Sequence, residues 1–275
     1  MNIGCHISIA GGIENAPQRA GDLGCETMQI FSRSPQGGKA PELTTEKIAK
    51  FKKELKKNKI NPFYIHTPYY INFASENNRI KYGSANVVRE ELERGSLIGA
   101  RYVMTHLGTA KDLGEKEAIV KTVEMLKKCL KGYFGETKLL LENSAGAGKI
   151  IGDSLKELTW IIRRVDSPNI FGICLDTQHS FASGYDWRNF EETIQRIKNE
   201  MDISKIKLIH ANDSLTECGS RKDRHAHIGK GEIGEKAFKD IVNFAKEKNI
   251  DMILETDHDA VEKDINVVKK MRDLE

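Results

Sequence analysis

The chain has 275 residues, of which 39% are hydrophobic and 30% are charged, a composition typical of a globular protein with a sizeable core. Its five cysteines form no C-x-x-C pair, which argues against a cysteine-based zinc ribbon or a disulfide framework. The net charge of +3 permits an anionic partner without indicating one. No apolar run approaches the roughly 20 residues of a membrane span, and residues 1–12 lack a secretory apolar region. We therefore expect a cytoplasmic protein with no membrane partner.

One unit recurs along the chain: a short apolar run, a loop, and a segment with helical spacing. The apolar runs are nearly continuous and rich in Ile, Leu and aromatic residues, which is typical of buried parallel strands. In chain order they are NIGCHIS, ETMQIFS, NPFYIHT, RYVMTHLG, KLLLENS, FGICLDT, IKLIHAN and DMILETD. Eight such units predict an α/β protein with a single (β/α)8 TIM barrel over residues 1–275, and an open doubly wound sheet is the alternative.

The segments between the predicted strands carry amphipathic helical patterns. One apolar stripe consists of Ile119, Val123, Leu126 and Leu130, and another of Phe190, Ile194, Ile197 and Met201. Asp153 or Ser154, and Asp186, stand where helix N-caps belong. The lysine-rich run KKELKKNK at 52–59 has apolar residues on its other face, so we interpret it as a solvated helix surface rather than a DNA-binding patch.

Each predicted strand from the third onward ends in a potential metal ligand. These residues are His66, His106, Glu142, Asp176, His210 and Glu255. All strand C-termini of a parallel barrel open on one face, so the six side chains are expected to converge there. Burying so many carboxylates and imidazoles together is costly unless cations pair with them. The pattern therefore predicts a metal site at the C-terminal face of the barrel.

The loops add three further candidates. His179 follows Asp176 by three residues, and the stretch HANDSLTECGSRKDRHAHIG contributes Asp223 and His225. The nine candidates comprise five histidines and four carboxylates, with no cysteine. That set is too large for one tetrahedral zinc and suits two or three closely spaced zinc or manganese ions.

Two other motifs do not support a function. The run GAGKIIG at 146–152 has neither dinucleotide-loop nor Walker A spacing, so no nucleotide cofactor is expected. No G-x-S-x-G elbow indicates a serine nucleophile.

Several clustered cations suit hydrolysis of a phosphodiester, because they lower the pKa of water and neutralise phosphoryl oxygens. A metal-dependent sugar isomerase or epimerase is the alternative, for which Glu142, Asp176, His210 and Glu255 alone would suffice. The non-enzymatic alternative is a barrel that binds damaged DNA without cleaving it.

Six motifs resemble those of the endonuclease IV type of abasic-site endonuclease, in order along nearly the whole chain. They are HTPYYIN, THLGT, LLLENSAG, LDTQHSFASGYD, HANDSLTECGSRKDRHAHIGKGEIG and ILETD. Sugar isomerases of the same barrel superfamily resemble only the four-ligand subset. The resemblance implies a monomeric (β/α)8 barrel that acts on double-stranded DNA in base-excision repair. It would cleave 5′ to an abasic site and leave a 3′-hydroxyl and a 5′-deoxyribose phosphate.

The resemblance also implies three zinc ions per chain, with Mn²⁺ as an alternative at one site. The first would be bound by His66, His106 and Glu142, the second by Glu142, Asp176, His210 and Glu255, and the third by His179, Asp223 and His225. Glu142 would also act in catalysis, by orienting the attacking water or serving as its base.

The candidate DNA contacts come from loops over the barrel mouth. Tyr69 matches a tyrosine of the family, and Tyr70 stands where an apolar wedge is usual. Packing of both tyrosines against the barrel rim is the structural alternative. Gln36 stands about where an inserting arginine is expected, followed by Gly37-Gly38 in place of bulkier residues.

Three more side chains are assigned to the same surface. Arg33, or Lys39 beside it in the loop, is expected to contact phosphate, and Arg224 belongs to the long seventh loop. His6 ends the first predicted strand and either touches DNA or braces the site. His227 and His258 are expected beside the ligands or on the surface.

Overall fold

Eight parallel strands of the computed structural model, which describes residues 1–274, close into a barrel. In chain order the strands of the described residues are β1 (Ile3–Ile7), β2 (Thr27–Ile30), β3 (Phe63–His66), β4 (Tyr102–Thr105), β5 (Lys138–Glu142), β6 (Ile170–Asp176), β7 (Ile206–His210), β8 (Asp213–Ser214), β9 (His225–Ala226) and β10 (Asp251–Leu254). All of them except β8 and β9 belong to the barrel. The barrel order is β1-β10-β7-β6-β5-β4-β3-β2, and β1 pairs with β2 to complete it. The predicted barrel is confirmed, and all eight predicted strands lie in it.

Helices follow the strands, and most of them cover the outside of the barrel. They are α1 (Ala16–Asp22), α2 (Thr45–Lys57), α3 (Asn78–Ile98), α4 (Glu115–Leu130), α5 (Leu155–Val165), α6 (Thr177–Ala182), α7 (Phe190–Glu200), α8 (Gly234–Lys248) and α9 (Val261–Asp273). Of the two candidate caps before α5, Ser154 is the one that accepts a hydrogen bond, from the Glu157 amide. Asp186 caps a 3₁₀ turn directly ahead of α7. Within residues 1–274, no helix is both long enough and apolar enough to cross a membrane.

The core has two layers, because successive side chains of a barrel strand point alternately inward and outward. The interior of the barrel is filled by Tyr64, Tyr102, Met104, Leu140, Cys174, Leu208 and Ile253. A larger cluster lies between the strands and the helices, and includes Ile7 of β1, Phe51 of α2 and Phe238 of α8. This double packing fixes the strand ends, from which the site is built.

Two elements of the C-terminal face were not predicted. The helix α6 begins immediately after β6, and the two-residue strands β8 and β9 pair as an antiparallel ribbon inside the loop after β7. Both are too short to leave a hydrophobic period in the sequence. Both nevertheless hold residues of the candidate site.

The backbones of β1 and β2 approach each other closely at Gly4. A Cβ at this position would lie 1.8 Å from the carbonyl oxygen of Thr27. We expect Gly4→Ala to lower the free energy of unfolding by about 1–3 kcal/mol, the usual cost of overpacking, as measured by urea denaturation. A Cβ added to Gly83 in α3 would have no atom within 4 Å, so Gly83→Ala should instead raise stability by up to about 1 kcal/mol. A Gly4→Ala protein as stable as the parent would contradict the close approach.

Candidate metal centre

The nine predicted ligands lie together at the C-terminal end of the barrel. Glu142, Asp176 and His210 are the last residues of β5, β6 and β7, and Glu255 follows β10. His66 ends β3, and His106 follows β4. The other three are His179 of α6, Asp223 in the segment before β9, and His225 of β9 itself. Closure of the barrel thus joins residues up to 189 positions apart, from His66 to Glu255.

The carboxylate of Glu142 forms the floor of the site and is fully buried. Its Oε2 lies 3.0 Å from Nε2 of His66 and 3.5 Å from Nε2 of His106. These three residues offer ligand atoms that all lie within 4.8 Å of one another. The spacing is suited to a single cation held by two imidazoles and a carboxylate.

A second group shares Glu142. Oε1 of Glu142 lies 2.8 Å from Nδ1 of His210, and that nitrogen lies 3.3 Å from Oε2 of Glu255. Asp176 completes this four-residue group, whose ligand atoms also lie within 4.8 Å of one another. Because its two oxygens face different groups, Glu142 can bridge two cations.

A third group consists of Asp176, His179 and His225. The expected partner Asp223 lies beside it, with one oxygen 3.4 Å from Nε2 of His179 and the other 3.4 Å from Nε2 of His225. Asp176 enters this group because it caps α6: its Oδ1 accepts a hydrogen bond from the amide of His179 at 2.7 Å. The cap places both side chains together and makes Asp176 a second bridging carboxylate.

The histidines are oriented by their other ring nitrogens. Nδ1 of His66 donates to the carbonyl of Thr67 at 2.6 Å, and Nδ1 of His179 donates to the carbonyl of Asn143 at 3.1 Å. In each ring this turns Nε2 toward the carboxylates, the usual orientation of metal-binding histidines. Nε2 of His225 is buried and has no hydrogen-bond partner among the described residues. A buried imidazole nitrogen without a partner, facing the carboxylates of Asp176 and Asp223, fits a divalent cation.

The electrostatics of the site show how closely its charges depend on one another. Burial raises the pKa of Glu142, but the imidazoles of His106 and His210 outweigh it and hold that pKa well below its usual value. Burial lowers the pKa of His106 to about 4. For His179, burial also lowers the pKa, yet the nearby carboxylates, Asp176 foremost, raise it to about 10.

Sequence reasoning missed the polar residues that support the ligands. Gln29 donates to Glu255 at 2.6 Å and accepts from Nε2 of His210 at 2.8 Å. Asn212 donates to Oδ2 of Asp176 at 2.7 Å and accepts from the amide of Glu255 at 2.9 Å. The sequence offered a signal for Asn212, because this residue lies in the motif HANDS beside the candidate ligand His210. It offered none for Gln29, because the partners of Gln29 are distant in sequence.

Asp213 is the other residue that was missed. It is fully buried, and its carboxylate accepts hydrogen bonds at 3.0 Å from the amides of Gly229, Gly231 and Ile233. These bonds close the long loop after β7 upon itself. The ribbon of β8 and β9 then carries His225 back over the barrel.

A cleft of about 810 Å³ opens above the ligands, and several of the predicted DNA contacts line it. Tyr69 and Tyr70 form part of its wall, with exposed fractions of 70% and 37%, so neither is packed away. His6 also lines the cleft, and its Nδ1 lies 3.1 Å from the amide of Gln29. His6 therefore braces Gln29, and its ring is also accessible from the cleft.

Gln36 and Arg224 are exposed but do not line the cleft. Arg224 donates to the carbonyl of Asp223, and the loop of Gln36 approaches Tyr70 through Gly37. His227 lies beside the site, where its Nδ1 is 2.7 Å from Asp264.

The expectation that Arg33 contacts phosphate is corrected by its position. Its side chain is only 4% exposed and lies against Glu90 and Glu91 of α3, with Glu91 itself fully buried. These carboxylates neutralise the guanidinium and hold it below the surface. Arg33 therefore anchors the start of its loop rather than presenting a charge to a ligand.

Comparison with known proteins agrees with this geometry. Residues 17–271 match the family described as xylose isomerase-like TIM barrel. A probable endonuclease 4 of Halothermothrix orenii is 40% identical over 99% of this chain and 99% of its own. A probable endonuclease 4 of Cenarchaeum symbiosum is 35% identical over 100% of this chain and 99% of its own.

Solved structures show the same relationship. The crystal structure of endonuclease IV from Thermus thermophilus superimposes with a TM-score of 0.87 at 27% identity, over 98% of both chains. A D-tagatose 3-epimerase-like protein superimposes with a TM-score of 0.74 at 20% identity, over 98% of this chain and 97% of that one, which shows a shared fold alone. The chain therefore belongs to the xylose isomerase-like TIM barrels and, among them, to the endonuclease 4 family.

Proposed function

We propose that this chain is a metal-dependent AP endonuclease that hydrolyses the phosphodiester 5′ to an abasic site in duplex DNA. The observation that carries the proposal is the third ligand group, which adjoins the central four-residue group through Asp176. Full-length relatives named endonuclease 4 support the nuclease activity. We take residues 1–275 as one catalytic domain that acts as a monomer.

Three zinc ions per chain are the metal content that the donor set supports best. Imidazole nitrogens and carboxylate oxygens without sulfur suit zinc, and manganese at the more carboxylate-rich position is the alternative. Glu142 and Asp176 each belong to two ligand groups, so these groups together with Asp223 would let nine residues serve three adjacent ions. When bound, such ions lower the pKa of water and neutralise the phosphoryl oxygens and the leaving alkoxide.

The residues of the chain then have distinct tasks. Glu142 lies buried at the centre of the site, where it would orient the attacking water or accept its proton. Gln29 and Asn212 hold Glu255 and Asp176 in place through the hydrogen bonds described above. The phosphodiester would lie across the cleft, so that cleavage leaves a 3′-hydroxyl and a 5′-deoxyribose phosphate.

Recognition of the lesion is assigned to the rim of the cleft. The ring of Tyr69 packs edge-on against Phe31 at 5.1 Å, which holds an exposed aromatic side chain rigidly beside the ligands. Rigid exposed rings stack well on bases, and a nucleotide without a base is extruded from the duplex at low cost. Tyr69 and Tyr70 would occupy the gap that the extruded abasic nucleotide leaves in the DNA duplex.

A sugar isomerase or epimerase is the principal alternative. It would need only the central group of Glu142, Asp176, His210 and Glu255, and the fold is shared with epimerase-like proteins. The alternative leaves His179, Asp223 and His225 unexplained, and it gives no reason for the Asp213 network that positions the loop of Asp223 and His225. A protein that binds damaged DNA without cutting it would have no need of the ligand groups.

Incision of a defined lesion tests the activity. We expect the zinc-loaded protein to cut a duplex with one tetrahydrofuran abasic analogue on its 5′ side and to leave an end that a DNA polymerase extends. Glu142→Gln should lower the rate at least about a hundredfold, the scale of losing one preorganised charged group. The matched undamaged duplex is the control. No incision by the zinc-loaded parent would reject the endonuclease assignment.

The assignment of Tyr69 and Tyr70 as the residues that insert into DNA has a separate test. Replacing Tyr69 and Tyr70 together with alanine should weaken binding to abasic duplex by about tenfold or more, because each stacked base contributes about 1–3 kcal/mol. Tyr82 of α3 is a matched control, since it is 41% exposed and does not line the cleft. Fluorescence anisotropy with a labelled abasic duplex measures the affinity of the double variant and of the Tyr82→Ala control. Equal affinities for the parent and the double variant would show that the tyrosines only pack the rim.

A further inference from the structure

Cys5 and Cys25 form a buried thiol pair that the proposed function does not use. Their Sγ atoms lie 3.7 Å apart, and the side chains are 1% and 7% exposed. Cys5 belongs to β1, while Cys25 lies in the turn between α1 and β2. The remaining cysteines contact no other thiol within residues 1–274, and of them only Cys218 is partly exposed.

We propose that Cys5 and Cys25 are a modification site, at which a peroxide converts the two thiols into an intramolecular disulfide. A disulfide requires sulfur atoms about 2.05 Å apart, so the pair must close by less than 2 Å. The backbones are already fixed beside each other, because the amide of Glu26 donates to the carbonyl of Ile3 at 2.9 Å. Small side-chain rotations within this frame would join the sulfur atoms.

The two thiols differ in reactivity. The hydrogen bond between the two thiols lowers the pKa of Cys25, and the ammonium of Lys269 acts in the same direction. The same bond raises the pKa of Cys5. Cys25 is also the more exposed of the two, so its sulfur meets the peroxide first, and its thiolate is the nucleophile.

The reaction then balances with one peroxide molecule. The Cys25 sulfur attacks a peroxide oxygen, the O–O bond breaks, and a sulfenic acid and water are formed. The Cys5 sulfur attacks the sulfenic sulfur, the S–S bond forms, and a second water leaves with the thiol proton. Two electrons pass from the thiols to the peroxide.

The pair lies outside the metal centre. Successive strand residues point to opposite faces, so Cys5 faces the outer core while His6 faces the cleft. Oxidation at this site therefore does not consume a candidate ligand, and its test needs no nuclease assay.

Peptide mapping provides the test. The folded protein is exposed to hydrogen peroxide and then unfolded in a denaturant at mildly acidic pH, so that a maleimide traps every free thiol. The alkylated protein is digested with trypsin without reduction. Cleavage after Arg19 and Arg33 places Cys5 in peptide 1–19 and Cys25 in peptide 20–33. We expect the two peptides to appear as one linked species that dithiothreitol separates, while peptides carrying Cys129 and Cys174 stay alkylated.

Two variants make the result specific. Cys25→Ser should abolish the linked species, and Cys218→Ser should leave it unchanged because the partly exposed thiol takes no part. The proposal would be overturned if Cys5 and Cys25 were both still alkylated at peroxide levels that oxidise Cys218. Linkage of either cysteine to Cys218, or a sulfinic acid at Cys25 with Cys5 free, would overturn it equally.

Discussion

The burial of Glu142 among imidazoles is the constraint on which the site depends. A carboxylate with no solvent exposure is costly, by several kcal/mol, unless opposite charges and hydrogen-bond donors surround it. Here the compensation comes from His66 and His210, which hydrogen-bond Glu142 and which two different strands deliver. Because a closed barrel fixes the relative positions of those strands, the cluster is assembled by the fold rather than by any local segment. Cations would replace the shared protons as the compensating charge.

The loop after β7 extends this centre beyond what the strands alone supply. Asp213 binds the backbone amides of its own loop, and β8 and β9 carry His225 back over the mouth. On the other side, Asp176 caps α6 and so places His179 against the same space. The third ligand group is therefore made by two short elements that meet at a single carboxylate. This is the feature that distinguishes the chain from a barrel with only the central group.

Hydrophobic periodicity was sufficient to predict the eight barrel strands, because each buried strand is a continuous apolar run. It also predicted which polar residues would converge, since a ligand-type residue at a strand end has a fixed place in a parallel barrel. Asp213 and Gln29 were not predictable in this way, because their roles depend on backbone amides and on side chains far away in sequence. Arg33 was misassigned for the same reason: its partners Glu90 and Glu91 lie on another helix.

The most direct measurement is the anomalous scattering of crystals grown from protein purified without added metal, recorded above and below the zinc absorption edge. The account predicts three peaks that weaken below the edge. One should lie between His66, His106 and Glu142, one in the central group with His210 and Glu255, and one beside His179 and His225. A single peak in the central group would contradict the account and favour the isomerase or epimerase alternative. The absence of any peak that weakens below the zinc edge would contradict the assignment of zinc as the bound metal.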